Sequence, residues 1–150
     1  MTFAERELEE RKVIERWIQQ SPEIQLIGLS KIGSFASYDA AIIRNGRRGI
    51  VEIKLRSFHH NYYETAILEG AKIKRLKQIK VNQLEKNGLD IDIWYAAHYT
   101  DDVLCLWAID NYSDTDEIDC PATSSGGYSN TVNKAVMKYQ ISTAEKIQLK

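Results

Sequence analysis

Two acids and a lysine, Asp39, Glu52 and Lys54, lie in the stretch YDAAIIRNGRRGIVEIKLRS, residues 38–57, among Ile, Val and Ala residues that favour a β-sheet. At the centre of the stretch is Asn45-Gly46, the strongest short-range signal for a tight hairpin. With a two-residue turn there, Arg44 pairs with Arg47 and every cross-strand pair sums to 91, which sets Asp39 opposite Glu52. Directly opposed residues share a face, with Cβ atoms about 4.5–5.5 Å apart. Lys54 projects from that face about 6.6 Å further along, while Val51, Ile53 and Leu55 take the other face and supply the core. An odd-length loop, or a bulge at Gly49, would break this alignment.

Like charges facing each other destabilise a sheet. Two carboxylates held together on a partly buried surface make sense when a cation sits between them. Oxygen ligands in small number suit Mg²⁺ or Mn²⁺, with the ion keeping waters and borrowing oxygens from a phosphate. A lysine beside it can orient or deprotonate a water, or stabilise charge developing on phosphorus. The chemistry is metal-assisted hydrolysis of a phosphodiester. The E-x-K spacing carries little of this inference, because it recurs at Glu10-Arg11-Lys12 on a helical stretch. The weight falls on the acid opposed across the turn.

The elements that must position these groups can be read from periodicity. Residues 3–20 form an amphipathic helix with Val13, Ile14, Trp17 and Ile18 as its apolar stripe, ended by Ser21-Pro22. A strand follows at 24–32, then the hairpin strands at about 37–44 and 47–57. A second helix is expected over 61–87, closed by Asn87-Gly88. Two strands over 90–110 turn at Asp101-Asp102, and residues 111–130 read as a long polar loop. A strand at 135–142 and a short terminal helix complete the order α-β-β-β-α-β-β-loop-β-α. A helix crossing between the third and fourth strands permits parallel pairing there. The expectation is one α/β domain over residues 1–150, a mixed β-sheet flanked by helices.

Composition bounds the partners. No apolar run approaches the roughly 18 residues that span a bilayer, and the acidic, helical start is unlike a secretory signal, so the cytoplasm is the expected compartment. Cys105 and Cys120 form no CxxC, and Cys105, inside an apolar run, reads as a core residue. Net charge is −1, but residues 31–89 hold five acids and twelve bases, net +7. The flanks are net −2 over residues 1–30 and −6 over 90–150. The hairpin therefore sits in a basic middle third, the footprint of a polyanion.

The layout of a helix, a strand, a strand with Asp39, a strand with Glu52-x-Lys54 and a helix resembles the PD-(D/E)XK nuclease superfamily, with its restriction-endonuclease-like fold, over roughly residues 7 to 110. Tyr38 stands where the family name has proline. The resemblance implies that Asp39 and Glu52 are metal ligands, that Lys54 is the catalytic lysine and that cleavage leaves a 5′-phosphate. It also implies a further glutamate from the first helix. Glu10 shares the stripe of Val13, Ile14 and Trp17, so it is the first choice for metal and catalysis and Glu7 the second. Lys72 on the second helix, Lys31, Ser34 and Ser37 before Asp39, and Arg56 after Lys54 are expected to meet nucleic acid. Lys74, Arg75, Lys77 and Lys80 offer an outer basic surface, and His59-His60 and Tyr62-Tyr63 could line the groove. The expected activity is a divalent-metal-dependent DNA endonuclease, with a homodimer to cut both strands. The alternatives are a Holliday-junction resolvase, a non-catalytic nucleic-acid-binding module of the same fold, and a binder of acidic proteins.

Overall fold

The computed structural model describes residues 1–30, 38–109, 116–121 and 131–150, the strand segments 116–121 and 131–133 as backbone only. Lys31, Ser34 and Ser37, expected to touch a phosphate, lie outside the described residues, as does most of the polar stretch 111–130.

Helix α1 (Phe3–Gln20) starts at a capping box, in which the Thr2 hydroxyl accepts from the Glu5 amide and Glu5 accepts from the Thr2 amide. It ends where the Ser21 amide bonds the Ile18 carbonyl, one residue before Pro22. Strands β1 (Ile24–Leu29), β2 (Ala40–Arg44) and β3 (Arg47–Leu55) form an antiparallel meander. Asn45 and Gly46 both have positive φ, 50° and 78°, the geometry of a two-residue turn whose twist matches the flanking strands. Arg44 pairs with Arg47 and Ala40 with Val51, the expected register, with no bulge at Gly49.

The chain then departs from expectation. Residues 65–69 are not the start of a helix but strand β4 (Thr65–Glu69), with Ala66 and Leu68 buried in alternation. Helix α2 (Gly70–Asn87) follows without a loop and closes at Gly88, whose φ of 63° is the left-handed cap that glycine favours. Strands β5 (Asp92–His98) and β6 (Val103–Ala108) turn at Asp102, also at positive φ. Within the stretch read as loop, β7 (Asp116–Pro121) pairs with β8 (Thr131–Gln140). The terminal segment is not a helix: a 3₁₀ turn, Ile141–Thr143, leads to strand β9 (Glu145–Gln148) on β6.

The result is a mixed α/β fold with a mostly antiparallel sheet flanked by two helices. The larger sheet runs β1-β2-β3-β5-β6-β9, and only β3 and β5 are parallel, joined through β4 and α2. A three-stranded sheet, β4-β8-β7, accompanies it.

Two cores follow from period-two alternation. On one face Val51, Ile53, Trp94, Ala96, Leu104 and Leu106 pack against Val13, Ile14 and Trp17 of α1. On the other, Ile50, Tyr95, Ala97, Cys105 and Trp107 pack with Ile73 and Leu76 of α2 and Ala66 and Leu68 of β4. Trp94, Trp107 and Cys105 are thus core residues, as their strands suggest.

Gly49 is needed where β3 meets β5. A Cβ there would run into the Trp94 ring and lie 2.8 Å from the Asp92 carbonyl oxygen. Gly49→Ala is expected to destabilise the fold by about 1–3 kcal/mol through overpacking. Urea unfolding followed by tryptophan fluorescence measures it.

Candidate active site

Alternation along β3 sends Glu52 and Lys54 to the face that carries Ile50 and α2, opposite to Val51 and Ile53. Asp39 stands one residue before β2, where the ladder continues: its amide donates to the Val51 carbonyl and its carbonyl accepts from Ser30. Its side chain turns back onto the partner strand, Oδ2 accepting from the Ile53 amide at 2.7 Å. A backbone held on both sides and a side chain anchored to the next strand fix this carboxylate beside Glu52.

Glu52 is 2% exposed and is the one charged residue that is buried among the described residues. Lys72, in the first turn of α2, donates to Glu52 Oε1 at 2.7 Å, and Lys54 Nζ lies 3.5 Å from the same oxygen. Lys72 reaches Glu52 from the start of α2, which follows β4 without a loop. Glu10, Glu7 and Arg6 of α1 line a cavity of about 170 Å³ together with Ser30, Asp39, Glu52, Lys54, Lys72 and Arg75. All four residues expected to be catalytic, Asp39, Glu52, Lys54 and Glu10, therefore share one cavity, along with Glu7 and Lys72.

The electrostatics are those of charges crowded out of water. Burial pushes the Asp39 carboxyl up to about 8, and repulsion from Glu52 adds to this, against the pull of the Ile53 amide. Burial likewise raises Glu10 to about 7, with Lys54 opposing and Glu52 adding. Lys54 is lowered, chiefly by burial and further by the neighbouring Lys72, although three carboxylates oppose this. Burial acts the same way on Lys72, but its bond to Glu52 outweighs it and the ammonium is held above its ordinary value.

The donors facing the cavity are carboxylate oxygens, which suit a hard divalent cation held through few protein ligands. Asp39 commits Oδ2 to the Ile53 amide, and the ammonium groups of Lys72 and Lys54 crowd Glu52 Oε1, as cations drawn to an acidic pocket would. Among the described residues, no group of three or more His, Cys, Asp or Glu side chains is placed to hold a metal ion.

Other expected contacts lie elsewhere. Arg56 does not line this cavity: its Nη2 donates to the Ile67 carbonyl at 2.9 Å and to the Tyr95 hydroxyl oxygen at 3.0 Å, tying β3 and β5 to β4. Lys80 reaches back to the Ile91 carbonyl and Asp90. His60 Nδ1 contacts Asp101 at 2.6 Å, away from the carboxylates. Sequence reasoning passed over Arg6 and gave Arg75 only to an outer surface. Their signals were present, because Arg6 precedes Glu10 by four residues and Arg75 follows Lys72 by three, so each shares a helix face with a site residue.

Comparison with protein-family models, with curated proteins and with solved structures gives no match to this chain. Fold and site together define a mixed α/β protein with a carboxylate–lysine cluster in a charged cavity at one end of its central hairpin.

Proposed function

We propose that this chain is a divalent-metal-dependent nuclease of the PD-(D/E)XK type, a DNA endonuclease that hydrolyses phosphodiester bonds. The observation that carries the reading is the buried Glu52 carboxylate, flanked by Lys54 and Lys72, in one cavity with Asp39 and Glu10. A binding module has no need of opposed carboxylates in its interior, since each costs several kcal/mol of desolvation.

Asp39 and Glu52 would hold Mg²⁺ or Mn²⁺, with Glu10 assisting. When bound, the ion supplies Lewis acidity and neutralises phosphate charge. Lys54, whose charge burial disfavours, orients the attacking water and as the neutral amine accepts its proton. The water oxygen forms a bond to phosphorus and the bond to the 3′ oxygen breaks; that oxygen takes a proton from solvent water, leaving a 3′-hydroxyl and a 5′-phosphate. Lys72, Arg75 and Arg6 balance the negative charge of the phosphate oxygens. A duplex cut on both strands takes two such sites, which a homodimer supplies.

The test is incubation of the protein with supercoiled plasmid and with a synthetic four-way junction, in Mg²⁺, Mn²⁺ or EDTA. The reading expects cleavage with either metal and none with EDTA. Preference for the junction would make the protein a resolvase. Intact plasmid and junction under every condition would overturn the enzymatic reading.

A further inference from the structure

A second cavity, of about 320 Å³, opens just past the end of β3, between Arg56 and Phe58 and strand β4. Glu52, Lys54 and Arg56 alternate onto one face, and the Arg56 contact with Tyr95, the β5 partner of Glu52, keeps it on that face. Lys54 lines the first cavity and Arg56, two residues on, lines the second. Phe58, Tyr63 and Tyr99 supply aromatic walls to the second cavity.

The aromatic group packs on itself and remains exposed at its outer members. Tyr62 and Tyr63 meet edge to face, with ring centres 4.7 Å apart, and Phe58 meets Tyr63 the same way at 5.0 Å. Tyr62 is 69% exposed and Tyr63 55%. The segment that carries them is tied down: the Phe58 carbonyl accepts from the Thr100 amide, and His60 bonds Asp101 through both its amide and its ring. A fixed, exposed aromatic cluster next to a cationic strand is how proteins receive an unpaired base, because every base has a face to stack and the backbone beside it is anionic.

We infer that Tyr62, Tyr63 and Phe58 form a platform that stacks an unpaired nucleobase near the phosphate held at Glu52 and Lys54. The inference rests on the nuclease reading for that phosphate and deepens it. The preferred substrate is nucleic acid with single-stranded character at the site of cutting, rather than continuous duplex.

The test uses binding without catalysis. A fluorescein-labelled single-stranded oligonucleotide and its blunt duplex are titrated in EDTA with the full chain, a Tyr62→Ala/Tyr63→Ala variant and a Tyr63→Trp variant. The exposed positions make both variants compatible with the fold, which circular dichroism checks. The double alanine variant is expected to weaken single-strand binding about 5- to 100-fold and duplex binding less than about twofold, while Tyr63→Trp retains the wild-type affinity. A 2-aminopurine base in the oligonucleotide should change its fluorescence on binding to the wild type and not to the double variant. Unchanged single-strand affinity in the double variant, or a wild type that prefers blunt duplex, overturns the platform. If cleavage depends on Glu52 while the alanine variant binds normally, the platform is wrong and the nuclease stands. If the stacking signals appear but no substrate is ever cut, the platform stands and the nuclease reading fails.

Discussion

Lys54→Ala is expected to lower the turnover of metal-dependent cleavage about 10²- to 10⁴-fold, the usual worth of a positioned proton acceptor, with a much smaller change in KM. The lysine sits 3.5 Å from Glu52 on the face that the strand turns toward α2. Burial holds its pKa below the ordinary lysine value, which makes its proton easier to give up. Lys54→Arg would restore charge without restoring a base, because guanidinium does not give up its proton in this range, so it should not rescue turnover. A purely structural lysine would behave differently. Arginine would then rescue, and the alanine variant would lose stability in step with activity. Single-turnover kinetics on a labelled substrate, beside thermal melts, separate the two cases.

The metal-free protein should become less stable as pH rises from about 4 to about 8. Asp39 is pushed up to about 8 and Glu10 to about 7 in the folded chain, against about 4 for free carboxyls. Between those values the folded state holds protons that the unfolded state has released, so the slope of stability with pH is negative. Asp90, Asp101 and Asp102 are held below their usual range by Arg47, His60 and Arg16 respectively, and burial opposes this at Asp101 most strongly. Their contribution is lost only as pH falls below about 4, so it does not offset Asp39 and Glu10 at higher pH. Asp39→Asn keeps an oxygen for the Ile53 amide and removes the charge, so it should flatten the profile and raise the melting midpoint at pH 8. Mg²⁺ binds ionised carboxylates, so it should stabilise the wild type at pH 8 and do little for the variant. Melting midpoints across pH, in Mg²⁺ and in EDTA, read all of this. A wild-type midpoint that climbs steadily from pH 4 to 8 in EDTA would contradict the burial of these acids.

Much of the hairpin was legible because its rules are local. Asn45-Gly46 dictates a two-residue turn, the turn dictates the register, and the register sets Asp39 by Glu52. The parallel pairing of β3 with β5 followed from a crossover long enough to hold a helix. Glu10 was legible from its place on the stripe of Val13, Ile14 and Trp17.

The misread elements owe their state to distant partners. Thr65–Glu69 contains Ala, Leu and Glu, all good helix formers, and Ile67 stands four residues before Ala71, so a helical period runs on into α2. Its strand state comes from pairing with β8, some seventy residues later. Glu145–Gln148 reads as helix for the same reason, yet it extends from β6 as the outer strand of the sheet. The first of these errors matters at the site, because α2 follows β4 without a loop and carries Lys72 to Glu52. Nothing in sequence discloses that Arg56 reaches the Ile67 carbonyl and Tyr95 hydroxyl and lines a cavity other than that of Glu52.

The most direct measurement compares wild type and Glu52→Gln on supercoiled plasmid in Mn²⁺, with the fold of both checked by circular dichroism. Glutamine keeps the shape of the buried side chain and removes the charge that would hold the ion. The account predicts nicking by the wild type, its loss in EDTA, and a fall of at least about 100-fold in the variant, on the scale of removing one electrostatic element of a catalytic site. Nicking by folded Glu52→Gln at the wild-type rate would contradict the account.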